Sequence, residues 1–275
     1  MSNCSVNDGS CFPSQQGWAV LTYADIGRPQ LINDGFIFTE GPVWNHADGY
    51  LLFSDIAGDT IYRLTLPQQI DVYHRPSHNA NGLAYDLEDC LLAAEHGSRS
   101  LTRRLPSGDW ETVAASYQNR RLHSPNDIAV RSEGTIYFTD PPFGLGNRLP
   151  ELDFMGLYRI TAGGEIGLAA EFNEYPNGVA FSPDEHTLYV ALTAADKVIA
   201  FAVNSDGTIV NPRDFATVPY PDGMAVDQAG NIYIAGWEGV AVYDAGAHYI
   251  GTIETDMPPA NCAFAGLDVK LLIIT

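Results

Sequence analysis

Six residues with oxygen-bearing side chains recur in one setting: Glu40, Asn81, Asn126, Asn177, Asp222 and Asn261 each stand at a turn before a short apolar strand. The settings read Glu40-Gly-Pro-Val-Trp44, Asn81-Gly-Leu-Ala-Tyr85, Asn126-Asp-Ile-Ala-Val130, Asn177-Gly-Val-Ala-Phe181, Asp222-Gly-Met-Ala-Val226 and Asn261-Cys-Ala-Phe264. If the units are related by rotation about one axis, equivalent positions lie on one ring and face the axis. That ring holds two carboxylates and four amides, with no cation, His or Cys among them. Such a donor set selects a hard divalent cation. Ca²⁺ fits best because it accepts carboxylates, amide carbonyls and water in irregular geometry. Mg²⁺ or Mn²⁺ could substitute, whereas Zn²⁺ normally takes nitrogen or sulfur. Turn chemistry alone would also favour Asn-Gly and Asp-Gly, but it does not account for Glu40.

The elements that must position these residues follow from the same repeat. Each lead residue opens a strand, a turn rich in Asp or Gly, and a second apolar or aromatic strand, as in Asn177-Gly-Val-Ala-Phe181 followed by Thr187-Leu-Tyr-Val-Ala191. The separations between lead residues are 41, 45, 51, 45 and 39. A period near 45 with several short strands per unit is the spacing of a propeller blade. Stretches such as Thr60-Ile-Tyr-Arg-Leu64 and Val198-Ile-Ala-Phe-Ala202 supply outer strands. No helical pattern of doubly wound type persists between the strands. The expected fold is therefore all-β: a six-bladed β-propeller with four-stranded blades around a central metal-containing channel. Residues 1–18 form an N-terminal tail and residues 19–275 one propeller domain, with strands between Ala19 and Phe38 completing the sixth blade. The longest interval contains Pro141-Pro-Phe-Gly-Leu-Gly-Asn-Arg-Leu-Pro150, which predicts a long loop on the functional face.

Composition limits the partners. The 275-residue chain is 45% hydrophobic, enough to bury a large core. Its charge is 14 − 34 = −20. That field repels phosphate backbones and anionic head groups, so neither nucleic acid nor a membrane surface is expected as a partner. No window approaches the apolar length of a spanning helix. The first ten residues lack a basic start and an apolar core, so the expected address is cytoplasmic. Cys90 and Cys262 sit in apolar strands and read as buried thiols, while Cys4 and Cys11 lie in the polar tail.

In joint order, Thr39-Glu-Gly-Pro-Val-Trp44, Ala80-Asn-Gly-Leu-Ala84, Ala94-Glu-His-Gly97, Ser124-Pro-Asn-Asp-Ile128, Phe138-Thr-Asp-Pro-Pro-Phe-Gly144, Pro176-Asn-Gly-Val179 and Pro221-Asp-Gly-Met224 form a specific pattern. With them the chain resembles the SMP-30/gluconolactonase/luciferin-regenerating-enzyme-like propellers, closest to the bacterial gluconolactonases. The resemblance implies one divalent cation in the tunnel, held by Glu40, Asn177 and Asp222 with Asn126 as a further ligand or substrate contact. It also implies hydrolysis of a small neutral lactone. Animal members carry an Arg two residues before the third-blade Asn, and Ser124 stands there instead. The candidate substrate contacts are Asn81, His96, Asn126 and Asp140, with Phe143 and Trp237 as candidate walls, while the nearby Arg120 and Arg121 read as solvated surface charges. Glu95 is expected to pair with Arg99, Arg103 or Arg104. Asp222 is the candidate catalytic base, because its short side chain on a tight Pro-Asp-Gly turn can hold an ion with one oxygen and face water with the other. Two other activities suit the same scaffold: organophosphate or fluorophosphate ester hydrolysis, and a non-catalytic binding platform.

Overall fold

The computed structural model describes residues 29–275. The 1–18 tail, with Cys4 and Cys11, and the stretch 19–28 lie outside the described residues. Successive strands pair antiparallel with their sequence neighbours and build five four-stranded sheets, over residues 39–74, 80–114, 128–172, 176–217 and 224–253. In each the strand order in space is the order in sequence. This is the meander that short Asp- and Gly-containing turns between apolar runs dictate.

The expectation of six four-stranded blades is corrected here: the described residues form a propeller of five four-stranded blades. The unit led by Asn261 supplies only a two-stranded hairpin, Cys262–Ala265 with Leu271–Ile274. Residues 29–38, expected to contribute a closing strand, contain none. Ile32 and Phe36 instead pack on the core between the hairpin and the first blade. The miscount has a physical source. The repeat is carried by the inner two strands of each unit, and residues 261–275 do contain those; the pattern says nothing of the outer two.

Six apolar layers close the circle, one between each neighbouring pair of sheets. The layer between blades two and three holds Leu92, Leu101, Phe138 and Tyr158. The hairpin is clasped on one side by Trp44, Leu51 and Phe53 against Ala265 and Ile273, and on the other by Tyr233 and Val242 against Cys262. Second strands are apolar almost throughout because each lies between two such layers, as Leu91–Glu95 and Ile232–Gly236 illustrate.

Candidate functional site

The local backbone aims the lead residues at the axis. In blades one, two and four, pairing to the second strand slips between Glu40 and Val43, Ala80 and Leu83, and Pro176 and Val179. A bulge of this kind turns a side chain out of the pleat. The glycine after the lead residue serves close packing: a Cβ at Gly82 would stand 2.5 Å from the Asn126 carbonyl oxygen, and one at Gly178 would collide with that of Asp222. Hydroxyls from second strands complete the joint. Thr139 Oγ1 donates to the Asn177 carbonyl at 2.7 Å, and Ser54 Oγ donates to that of Asn81.

The six lead side chains converge, and hydrogen bonds join them into two sets. Asn81 Nδ2 donates to Asn126 Oδ1 at 2.6 Å, and Asn126 Nδ2 donates to Asn177 Oδ1 at 2.5 Å. Asn261 Nδ2 donates to Glu40 Oε2 at 2.9 Å, and Asp222 lies beside Asn177 and Glu40, between the two sets. Glu40 and the four asparagines are buried, while Asp222 keeps partial access to solvent. Burial pushes the Glu40 carboxyl above its ordinary range. Burial also pushes Asp222 well up, and the Glu40 and Asp127 charges add to it. Two neighbouring carboxyls that raise one another's pKa in a buried site favour a shared proton or a cation between them. Among the described residues no three His, Cys, Asp or Glu side chains converge, so a cation here would rely on amide oxygens as well.

His96 ends the second strand of blade two and joins the ring. Its Nε2 lies 3.1 Å from Asn126 Oδ1 and 3.3 Å from Asn81 Nδ2. Burial, with the Arg148 charge adding, pushes its pKa down to about 4, so the imidazole is neutral at pH 7. The loop of residues 141–150 lies on His96, and Gly144 sits so close that a Cβ there would strike the imidazole. Arg148 fastens that loop by donating to the carbonyls of Gly97 (2.6 Å), His96 (2.7 Å) and Gly144. Ser124 anchors its other end: the hydroxyl donates to the Pro141 carbonyl at 2.6 Å and accepts from the Gly144 N–H at 2.9 Å. Ser124 thus holds the loop from a fully buried position.

Two sequence expectations, for Asp140 and Glu95, end elsewhere, whereas Arg120 and Arg121 are surface charges as expected. Asp140 has no exposed surface and does not join the ring. Its two oxygens accept the backbone N–H groups of His123 and Ser124, both at 2.8 Å, so it shapes the approach to Asn126 from behind. Burial, opposed by these two hydrogen bonds, pushes its pKa up to about 7. Arg120 and Arg121 are exposed and bind Asp153 Oδ2 and the Ser98 carbonyl, each at 2.7 Å. Glu95 pairs with none of Arg99, Arg103 and Arg104; it accepts from Ser98 Oγ and Thr102 Oγ1 and lies 3.3 Å from His78 Nδ1. Arg148 was legible as the one cation of the Gly/Pro-rich loop. Thr193 left no signal, yet its Oγ1 accepts from Asn177 Nδ2 at 3.0 Å and donates to the Pro221 carbonyl at 2.8 Å, tying Asn177 to the residue before Asp222. Below the ring a cavity of about 280 Å³ continues along the axis, lined by Gly41, Asp127, Met224, Val226, Asn261 and Phe264.

Relatives share this architecture over most of their length. A gluconolactonase of Zymomonas mobilis is 28% identical over 282 residues, spanning 90% of this chain and 79% of that protein. The pentonolactonase XacC of Haloferax volcanii is 29% identical, over 86% of this chain and 80% of its own. Among solved structures, a gluconolactonase of Xanthomonas campestris superposes with a TM-score of 0.84 at 36% identity, covering 89% of this chain and 84% of that one. The model of the SMP-30/Gluconolactonase/LRE-like region matches residues 38–275, which is every blade, the closing hairpin and all six ring residues. The chain belongs to the SMP-30/gluconolactonase/LRE-like family.

Proposed function

We infer that this protein hydrolyses small neutral lactones, as its gluconolactonase and pentonolactonase relatives are named for doing. The observation that carries the reading is the convergence of six oxygen-bearing side chains at one end of the axis, two of them carboxyls, with Asp222 the one residue of the six that is only half-buried. The donor set fits a divalent cation, with Ca²⁺ preferred over Mg²⁺, Mn²⁺ or Zn²⁺. Glu40, Asn126, Asn177 and Asp222 would hold it. When bound, such an ion supplies Lewis acidity toward a carbonyl oxygen.

The chain's own groups divide the remaining tasks. Asp222 takes the proton of a water that adds to the lactone carbonyl carbon, since it is the less enclosed of the two ring carboxyl residues. Glu40 is enclosed by the Gly41 N–H and Asn261 Nδ2 and serves as an anchor. Asn81, neutral His96 and Asn126 form a buried polar wall that orients the substrate's oxygens. As the acyl–oxygen bond breaks, the ring oxygen takes back the proton that Asp222 accepted, and a hydroxy acid departs from a strongly anionic molecule. We place the protein in the cytoplasm, a reducing compartment in keeping with the free buried thiols Cys90 and Cys262.

A panel of sugar and alkyl lactones with one phosphotriester tests the reading, run before and after chelation and with metal content measured. The expected result is lactone turnover that chelation abolishes and Ca²⁺ restores. Turnover of the phosphotriester alone would replace the substrate assignment. Full lactone turnover by metal-free protein would remove the cation from it.

A further inference from the structure

Tyr220 and Trp237 are the two most exposed aromatic rings among the described residues, at 60% and 64% of their surface. Their centroids lie 5.9 Å apart with the planes tilted by 50°, so the rings make one continuous apolar patch. Both belong to the end of the propeller that carries the donor ring. Tyr220 lies two residues before Asp222, and Trp237 follows the second strand of the same blade, which runs antiparallel and returns to that end. The Asp222 N–H donates to the Ala235 carbonyl at 2.9 Å, and the Trp237 N–H donates to the Pro219 carbonyl at 2.9 Å. One short ladder therefore sets the base and both rings.

The backbone of Tyr220 is a second and independent observation. Its φ is +49°, in the left-handed region where a bulky aromatic residue is an outlier. The conformation is held by Asp196, whose Oδ1 accepts the Tyr220 N–H at 2.9 Å. Strain of this kind persists where the surroundings impose it, and it concentrates at ligand contacts. Packing does not explain it, since the ring is mostly in water. Glycine would relax the backbone and forfeit the ring.

We propose that Tyr220 and Trp237 form a stacking platform for the C–H face of the lactone ring and its apolar substituents, and so determine which lactones reach Asp222. The platform rests on the hydrolytic reading above and adds to it the part of the substrate the donor ring does not recognise. Ring oxygens turn toward the polar wall of Asn81, His96 and Asn126, while the opposite, weakly positive C–H face lies on the aromatic quadrupoles. An uncharged platform also suits a substrate that the negative field of the chain neither attracts nor repels.

Steady-state kinetics of Trp237→Ala, Trp237→Phe, Tyr220→Ala and Tyr220→Gly test it, with a sugar δ-lactone and an alkyl-substituted δ-lactone. Trp237→Ala should raise KM about five- to tenfold while kcat stays within about twofold, and Phe should recover most of the loss. The alkyl lactone should suffer more than the sugar lactone. Tyr220→Gly should melt about 2–4 °C above Tyr220→Ala, yet share its raised KM, because both lose the ring and only glycine removes the strain. Unchanged KM in both Ala variants would overturn the platform, as would equal losses in kcat alone. If the wild-type protein opens no lactone, the hydrolytic reading falls by itself. The platform is then decided by titrating a non-hydrolysable δ-lactam: binding lost in Trp237→Ala sustains it, and equal binding or none removes it.

Discussion

At the scale of single residues, two carboxylates with opposite duties carry sharp expectations. Asp222→Asn keeps an oxygen ligand and removes the proton acceptor. Metal content should stay near wild type while kcat falls by roughly 10²-fold or more; near-normal kcat with metal bound would transfer the base role to another group. Asp140 is structural, and its test is pH. Its pKa rises from the ordinary carboxylate range to about 7 in the folded protein, because burial outweighs the two N–H groups it accepts. The folded state then binds more protons than the unfolded one across that interval. Stability held by the protonated form is fully present below about pH 4 and declines as pH rises toward about 7. Asp140→Asn cannot ionise. The wild-type unfolding free energy minus that of Asp140→Asn, from urea titrations, should therefore fall between those limits; a difference that is flat or rises would contradict the assignment.

At the scale of elements, the donor ring depends on how closely one blade's first strand approaches the next. Gly178 passes so near the Asp222 carbonyl that no side chain fits between them. Gly178→Ala should cost about 1–3 kcal/mol, the usual penalty for forcing a methyl into a packed joint. It should also weaken cation binding, because the displaced backbone is that of a ligand. Calorimetric cation titration beside thermal melting separates the two effects, and a variant that binds and melts as wild type would show the joint to be slack. Asp127 occupies the equivalent place in blade three. There its Oδ2 accepts the Val179 N–H at 2.9 Å, a side-chain hydrogen bond to the next blade, where Gly82 and Gly223 use their backbone N–H groups, donating to the carbonyls of Asn126 and Ala260.

At the scale of the whole molecule, the net charge of −20 and the enclosed site act separately. A neutral lactone has no charge for the field to steer, so kcat/KM should change by less than about twofold between low and moderate salt. A steep decline with ionic strength would point to a cationic substrate. No helix among the described residues is long and apolar enough to cross a membrane.

What the sequence determined by itself was local and periodic. An apolar strand after each oxygen-bearing lead residue, repeating at propeller spacing, was enough to specify antiparallel meanders and to nominate the six lead residues as neighbours. These signals survive in one dimension because each blade's inner strands are formed by residues adjacent in the chain. The number of complete blades was decided elsewhere. The Asn261 unit shows the same inner-strand signature as the others, and only the pairing of strands reveals that it stops at a hairpin. The placement of Asp140 behind the site, the two-ended anchoring of the 141–150 loop by Ser124 and Arg148, and the link from Asn177 through Thr193 to Pro221 all join residues 16 or more positions apart. Such contacts tie side chains to groups that meet only once the strands have paired, and the inner-strand repeat does not encode them.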